Sequence, residues 1–408
     1  MPLVRPFRAL RAAPGRAADV LAPPYDVLSS AEARAQAEDH PWSFLHVSKP
    51  EIDLDPDIDP HDDAVYAKAR ENLARMVAAG VLIRDEAPCY YLYRMTWRGR
   101  PHTGLAAVAS LADYETGRIR KHELTTPVKE DDRVRQIEAV NAQTGPVMLA
   151  YPGAPELDAE LAAAAMTAST VDVTGRDGVR HQLWVIADAG AIDRLTRRVD
   201  ALPALYIADG HHRSAAAARV AHARGNNPAA SDAYFLAVLF PHHEMTILDY
   251  NRLIRDLNGR SAEEVRATLA QRFTVEASGE PARPRARNEF GMYLAERWYR
   301  LTLPPARIPG NDPIGRLPIT LLAHNAIEPV FGISDPRTDK RIEFVGGARG
   351  LEELERRVAS GEMAVAFALF PTEMTDLMAV ADAGGIMPPK STWFEPKLAD
   401  GMVSHVLD

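Results

Sequence analysis

The sequence predicts a mixed α+β protein built as more than one lobe. Three observations carry that expectation. The chain has 408 residues, too many for a single hydrophobic core. Short strand-like runs alternate with segments of helical period along its length. The composition, 46% hydrophobic and 25% charged, is that of an ordinary globular chain. Lobes are expected at residues 1–150, 151–260 and 261–408. The single cysteine, Cys89, excludes an internal disulfide and any Cys-x-x-Cys zinc or redox motif. No apolar run approaches the roughly 18 residues of a membrane span. Arg5, Arg8, Arg11 and Arg16 interrupt the N-terminus where a secretory signal would be continuously apolar. A net charge of -9 argues against a nucleic-acid partner. The expected setting is cytoplasmic, with a small-molecule substrate and neither nucleic acid nor membrane as partner. The oligomeric state is not legible.

The first 60 residues read as irregular, because Pro23-Pro24-Tyr25-Asp26-Val27 fixes turns and extension. Asp53, Asp55 and Asp57 suggest a calcium loop, but Pro56 and Ala64 break the required spacing, so a solvated acidic loop is expected. Residues 62–79 carry a helical stripe ending before Gly80, a helix stop. Residues 89–97 and 103–111 read as strands joined by a turn at 98–100. Thr126 and Pro127 open a helix to about 141, as cap and first-turn proline. Helices are expected at 159–167 and 191–199, with strands at 181–186, 204–208 and 232–239. That alternation permits parallel pairing. Beyond a helix at 261–272, residues 283–287 read as an exposed connection and 290–303 as one strand. Helices at 319–327, 351–359 and 372–381 then alternate with strands at 342–345 and 363–370. The last 25 residues read as irregular or extended.

Three segments bear chemistry. In the first, the apolar run Leu205-Tyr206-Ile207-Ala208 leads through Asp209 and Gly210 into His211-His212-Arg213 and an Ala-rich helix that stops at Gly225. A strand–glycine–helix turn presents backbone N–H groups and the positive end of a helix dipole. The two histidines and Arg213 add donors, and a guanidinium can grip a phosphate with two bonds. The alternative is that Asp209 caps the helix while the histidines pack. In the second, Glu123 precedes the helix bearing Lys129 and Arg133. Glu123 suits a general base. Lys129 and Arg133 are four apart and share a helix face, whereas the alternative is a charged solvated helix start. In the third, Met387-Pro388-Pro389-Lys390-Ser391-Thr392 precedes Trp393 and Phe394. Either Lys390 meets an anion or the segment docks through its aromatics. The paired histidines at 211–212 and 242–243 lack metalloprotease spacing, and no residue is assigned as a metal ligand on spacing alone.

Together these segments resemble a known bacterial family. Pro6-Phe7-Arg8-Ala9-Leu10, Pro-Pro-Tyr-Asp-Val at 23–27, Phe44-Leu45-His46-Val47, His122-Glu123, Lys129-Glu130, Asp132-Arg133, Asp-Gly-His-His-Arg at 209–213 and Met-Pro-Pro-Lys-Ser-Thr at 387–392 look like the family called domain of unknown function 1015. The resemblance covers essentially the whole chain. Through the Asp-Gly-His-His-Arg segment that family is similar to archaeal free-serine kinases, and more distantly to sulfiredoxin and the nucleotide-binding domain of ParB partition proteins. The resemblance implies a ParB/sulfiredoxin-like nucleotide-binding core elaborated by further α+β lobes, with a nucleotide pocket at Gly210, His211, His212 and Arg213. It implies a catalytic role for Asp209, and Glu123 is chosen as the second carboxylate on chemical grounds. Two departures narrow it. His211 stands where sulfiredoxins carry a reactive cysteine, and no helix-turn-helix module is present.

The function this implies is a phosphotransferase using ATP or ADP with Mg²⁺ on a small hydroxyl substrate, free L-serine first among them. Glu123 would take the hydroxyl proton, and Asp209 would orient the substrate or hold Mg²⁺. Gly210, His211, His212 and Arg213 would cradle phosphates, with Lys129, Arg133 and Lys390 as further anion contacts. The alternatives are a regulatory protein that binds nucleotide without turnover, and an enzyme of unrelated chemistry whose cradle holds a substrate phosphate.

Overall fold

In the computed structural model, which describes all 408 residues, the chain is mixed α+β and divides into two compact units. The first comprises residues 1–245 and 396–408, and the second residues 246–395. The boundaries expected at 150 and 260 do not coincide with this division. The strand Val147–Tyr151 lies between Leu205–Asp209 and Tyr234–Pro241 in one sheet, so a cut at 150 would part hydrogen-bonded neighbours.

The first unit is built on a nine-stranded mixed sheet. Its strands run in the order Ile119–Arg120, Leu205–Asp209, Val147–Tyr151, Tyr234–Pro241, Arg100–Ser110, Tyr90–Trp97, Arg180–Ile186 and Val171–Thr174. Val4–Arg5 pairs beside the end of Arg100–Ser110. Parallel pairing occurs at two joints, Leu205–Asp209 with Ile119–Arg120 and Tyr234–Pro241 with Val147–Tyr151. It does not join Arg180–Ile186 to Leu205–Asp209, which pair with other strands. The turn expected at 98–100 is set by Arg98 and Gly99, both at positive φ, as a two-residue hairpin requires. The core centres on Leu105, Ala107, Leu149, Ile207 and Leu239. Leu195, Val199, Ala217 and Ala221 cover that core from the helices Ala189–Asp200 and His211–Ala223.

The N-terminal 60 residues hold more regular structure than expected. Ser29 and Glu32 form a reciprocal capping box on the helix Ser30–Ala37, which satisfies two otherwise orphaned donors. Ala9–Ala12 joins a small sheet between Leu82–Arg84 and Ser404–Val406, with Ala142–Gln143 beyond. The acidic loop uses its carboxylates locally: Asp55, Asp59 and Asp62 accept backbone N–H groups two residues on.

The second unit is a six-stranded antiparallel sheet. Its order is Thr274–Ser278, Arg297–Thr302, Glu289–Leu294, Val365–Leu369, Tyr250–Ile254 and Ile342–Gly346. The single strand expected over 290–303 is two strands. Ala295 and Glu296 turn the chain at φ 49° and 58°, and neither residue type announces such a turn. A separate ribbon pairs Thr246–Leu248 with Trp393–Glu395, Thr246 opposite Glu395.

Candidate functional site

The site is built where Leu205–Asp209 ends. Gly210 has φ 103° and forms the N-cap of His211–Ala223 without a side-chain cap bond, so Asp209 does not cap this helix. A Cβ at 210 would stand 3.3 Å from the Val147 Cα and 3.2 Å from the Arg213 guanidinium, and the backbone angle itself disfavours a side chain. The first rung of the helix is the Ser214 N–H donating to the Gly210 carbonyl at 3.0 Å. The amides of His211, His212 and Arg213 precede that ladder and carry the positive end of the dipole. Gly210 and His212 are half-buried, so the turn reaches solvent.

Asp209 is held by two cations. Arg213 donates from Nη2 to Oδ2 at 2.6 Å, and Lys397 from Nζ to Oδ1 at 3.2 Å. Burial pushes the Asp209 carboxyl up, but the pull of Lys397 and Arg213 wins and holds it far below the usual carboxylate range. Arg213 also donates from Nη1 to the Pro146 carbonyl. Burial disfavours its charge, yet Asp209 and Asp26, the latter 3.9 Å away, keep the guanidinium more firmly protonated than usual. The free bidentate fork expected at Arg213 is therefore already engaged. The residue supplies a fixed positive charge instead.

Glu123 comes to the same turn. Its Oε2 lies 3.5 Å from His211 Nδ1, and its side chain is 59% exposed. His211 is buried. Its Nε2 accepts the His122 N–H at 3.4 Å, and the two imidazoles meet edge to face with centroids 4.4 Å apart. Burial, aided by His122, drives His211 well below its ordinary value, and burial drives His122 down to about 4. Both rings are neutral near pH 7. His122 Nδ1 is buried without a hydrogen-bond partner. His212 accepts the Thr126 N–H at Nε2 (3.2 Å), and burial together with Lys129 lowers its pKa. Neutral histidines bring one N–H each, so the donor strength expected from this turn rests on the amides, Arg213 and Lys397.

Lys129 and Arg133 lie on the helix Pro127–Val140 but do different work. Lys129 is exposed beside His212. Arg133 is bound to Asp132 at 2.6 Å and packs its guanidinium 3.8 Å from the Tyr25 ring centroid. The shared anion-binding face expected for the pair is thereby split. The helix lies against His211–Ala223 through Ile137, Ala216 and Val220, and Arg219 grips Glu130 and Asp131. Lys390 belongs to the second unit. There its ammonium lies 5.9 Å from the Tyr250 ring centroid and its carbonyl accepts from Arg252.

Sequence reasoning missed three members. Lys397 stands seven residues after the chosen Lys390, in the same motif stretch. Asp26 reads in the sequence only as part of a turn. Asp400 is 2% exposed, and its backbone is clamped in a bridge to Ala22. Its carboxyl shares a cavity of about 30 Å³ with Tyr25, Arg133, Gln143 and Arg213, room for about one water. Burial pushes Asp400 up to about 7 against the pull of Arg213.

The fold and the turn define an α+β protein with a strand–glycine–helix bend at the end of a central strand. The chain belongs to the family described as "Protein of unknown function (DUF1015)", which matches residues 4–320. No curated protein matches it. Among solved structures it is similar to a free serine kinase in complex with AMP, at 14% identity, covering 68% of this chain and 83% of that one, with a TM-score of 0.33. It is similar also to SbnI with C-terminal truncation from Staphylococcus aureus (13%, 73% and 86%, TM-score 0.37) and to a conserved hypothetical protein from Pyrococcus furiosus (14%, 69% and 90%, TM-score 0.32). No helix is long and apolar enough to cross a membrane.

Proposed function

We propose that this protein binds a nucleotide at the 209–213 turn and transfers a phosphoryl group to a small hydroxyl substrate, free L-serine being the first to try. The observation that carries the reading is convergence. Glu123, 86 residues earlier in the chain, reaches the N-terminus of the helix that follows Asp209, with its Oε2 3.5 Å from His211. A carboxylate next to a phosphate-type cradle is what proton removal from an attacking hydroxyl needs.

The donor set fits a nucleotide phosphate. The unladdered amides of 211–213, the Lys397 ammonium and the fixed Arg213 charge would hold the anion, with exposed Lys129 at the rim. When bound, the nucleotide, ATP or ADP, supplies the phosphoryl group. Glu123 accepts the hydroxyl proton at a carboxylate oxygen. Orientation fits Asp209 better than metal binding. Its two oxygens already receive Arg213 and Lys397, so it keeps those cations placed. Asp209 therefore offers no oxygen-rich seat for Mg²⁺.

Phosphorus NMR of the purified chain with serine and either ATP or ADP tests the proposal. Phosphoserine that forms, and is lost with Glu123→Gln or Lys397→Met, supports it. Nucleotide binding without product across a panel of hydroxyl substrates would mean a regulatory protein. Absence of nucleotide binding would leave the turn as a seat for a substrate phosphate in unrelated chemistry.

A further inference from the structure

The pair His122-Glu123 and the first residue of the 211–223 helix enclose a set of donors that phosphate binding does not use. One ligand atom from each of His122, Glu123 and His211 lies within 4.8 Å of the others. Two of the three are buried imidazoles, with His122 1% and His211 3% exposed. The carboxylate sits at the mouth.

The arrangement has an oddity that packing does not explain. His122 Nδ1 is fully buried and has no hydrogen-bond partner. A buried nitrogen lone pair left unmatched costs about 1–3 kcal/mol, and such groups are rare in folded proteins. A second ring contact, to the Ile207 backbone, holds the His122 ring in place. That is the outer-shell arrangement that orients a ligating imidazole. His211 directs Nδ1 toward Glu123. Its Nε2 makes only a long contact with the His122 amide, 3.4 Å, which coordination through Nδ1 would give up.

We propose that His122, Glu123 and His211 form a binding site for a divalent transition-metal ion of the zinc or cobalt type. Two neutral imidazoles and one carboxylate form an N₂O donor set. Such a set suits borderline cations and disfavours Mg²⁺, which wants oxygen ligands in an octahedron. Three protein ligands leave further coordination positions open, as in sites that also take water or substrate. The inference shares its residues with the phosphotransfer reading but does not rest on it. With an ion bound, Glu123 is a ligand, and its assignment as base then applies to the metal-free protein.

The test uses the full chain, freed of metal by a chelator, with neither nucleotide nor serine present. Co²⁺ is the probe, because nitrogen and oxygen ligands in a low-coordinate site give visible ligand-field bands. Zn²⁺ and Mg²⁺ serve as competitors. The expected result is one Co²⁺ per chain with such bands. Zn²⁺ should displace it, and Mg²⁺ at 100-fold greater concentration should not. Glu123→Gln alters an exposed side chain, so the fold should survive, and it should weaken Co²⁺ binding about 10-fold or more. His122→Gln should abolish the bands, with circular dichroism confirming the fold. His243→Ala, in the histidine pair of a separate loop, should leave binding unchanged. No stoichiometric Co²⁺ binding, or binding indifferent to Glu123→Gln and His122→Gln, overturns the inference. Either result leaves phosphoserine formation to be judged by its own NMR assay, so the two readings can fail separately.

Discussion

Asp400→Asn is expected to stabilise the first unit, and to do so more as the pH rises. Asp400 is 2% exposed, and its Oδ1 has no hydrogen-bond partner. Burial raises its carboxyl from the ordinary 3.8 to about 7. Below pH 3.8 the group is protonated folded or unfolded, and it adds nothing to the pH dependence. Between 3.8 and 7 the unfolded chain ionises while the folded one holds its proton, so stability falls as pH rises. Above 7 both states are ionised and the cost levels off. About three pH units correspond to about 4 kcal/mol at pH 8, and to about 1–2 kcal/mol at pH 5. Asparagine keeps the shape and an acceptor oxygen without the charge, so it should recover most of that difference. Urea unfolding of both proteins at pH 5 and pH 8, read on the transition of the unit that carries residue 400, measures it. A stability difference of the same size at both pH values, or an asparagine variant less stable at pH 8, would refute the reasoning.

Three further substitutions probe separate parts of the fold. Gly210→Ala forces a side chain onto φ 103° and should cost about 1–2 kcal/mol. It should also weaken nucleotide binding, measurable by calorimetry beside an unfolding curve. Lys397→Met removes one of the two cations on Asp209. Breaking a fully buried pair costs about 3–5 kcal/mol, and this pair is about a quarter exposed, so a loss of about 2 kcal/mol is expected. Asp209 should then protonate at higher pH, which a carboxyl-labelled NMR titration would show. Replacing Ala295 and Glu296 together by Asn and Gly supplies residues that tolerate φ near 50–60°. It should raise the unfolding free energy of the second unit, measured in urea, by about 1–2 kcal/mol.

Elements with local signals were legible in the sequence. The Thr126-Pro127 helix start, the 90–97 strand and the 205–225 strand–turn–helix announce themselves through a first-turn proline, a run of aromatic strand formers and glycine. Val147–Tyr151 did not. It is buried on both faces, so it shows an apolar run without alternation, and such a run has no period to read. The Ser29–Glu32 capping box was present in the sequence but hidden among prolines and acids. At the site, Asp209, Gly210 and Glu123 could be named from residue type and motif. Lys397, Asp26 and Asp400 could not, because each is defined by a partner far away in the chain. Lys397 meets Asp209 across 188 positions. Arg213 and Arg133 can be named as cations from the sequence, but a sequence does not reveal that each guanidinium is already bound to a carboxylate.

The antiparallel ribbon in which Thr246 faces Glu395 brings the two ends of a 150-residue stretch to within about 5 Å of each other. A segment whose ends nearly touch is a cassette. Its removal and bridging by a short glycine linker would leave the host's path almost unaltered, since closing a small gap needs little chain. The excised block, with its own sheet and core, is a natural candidate for independent production and study.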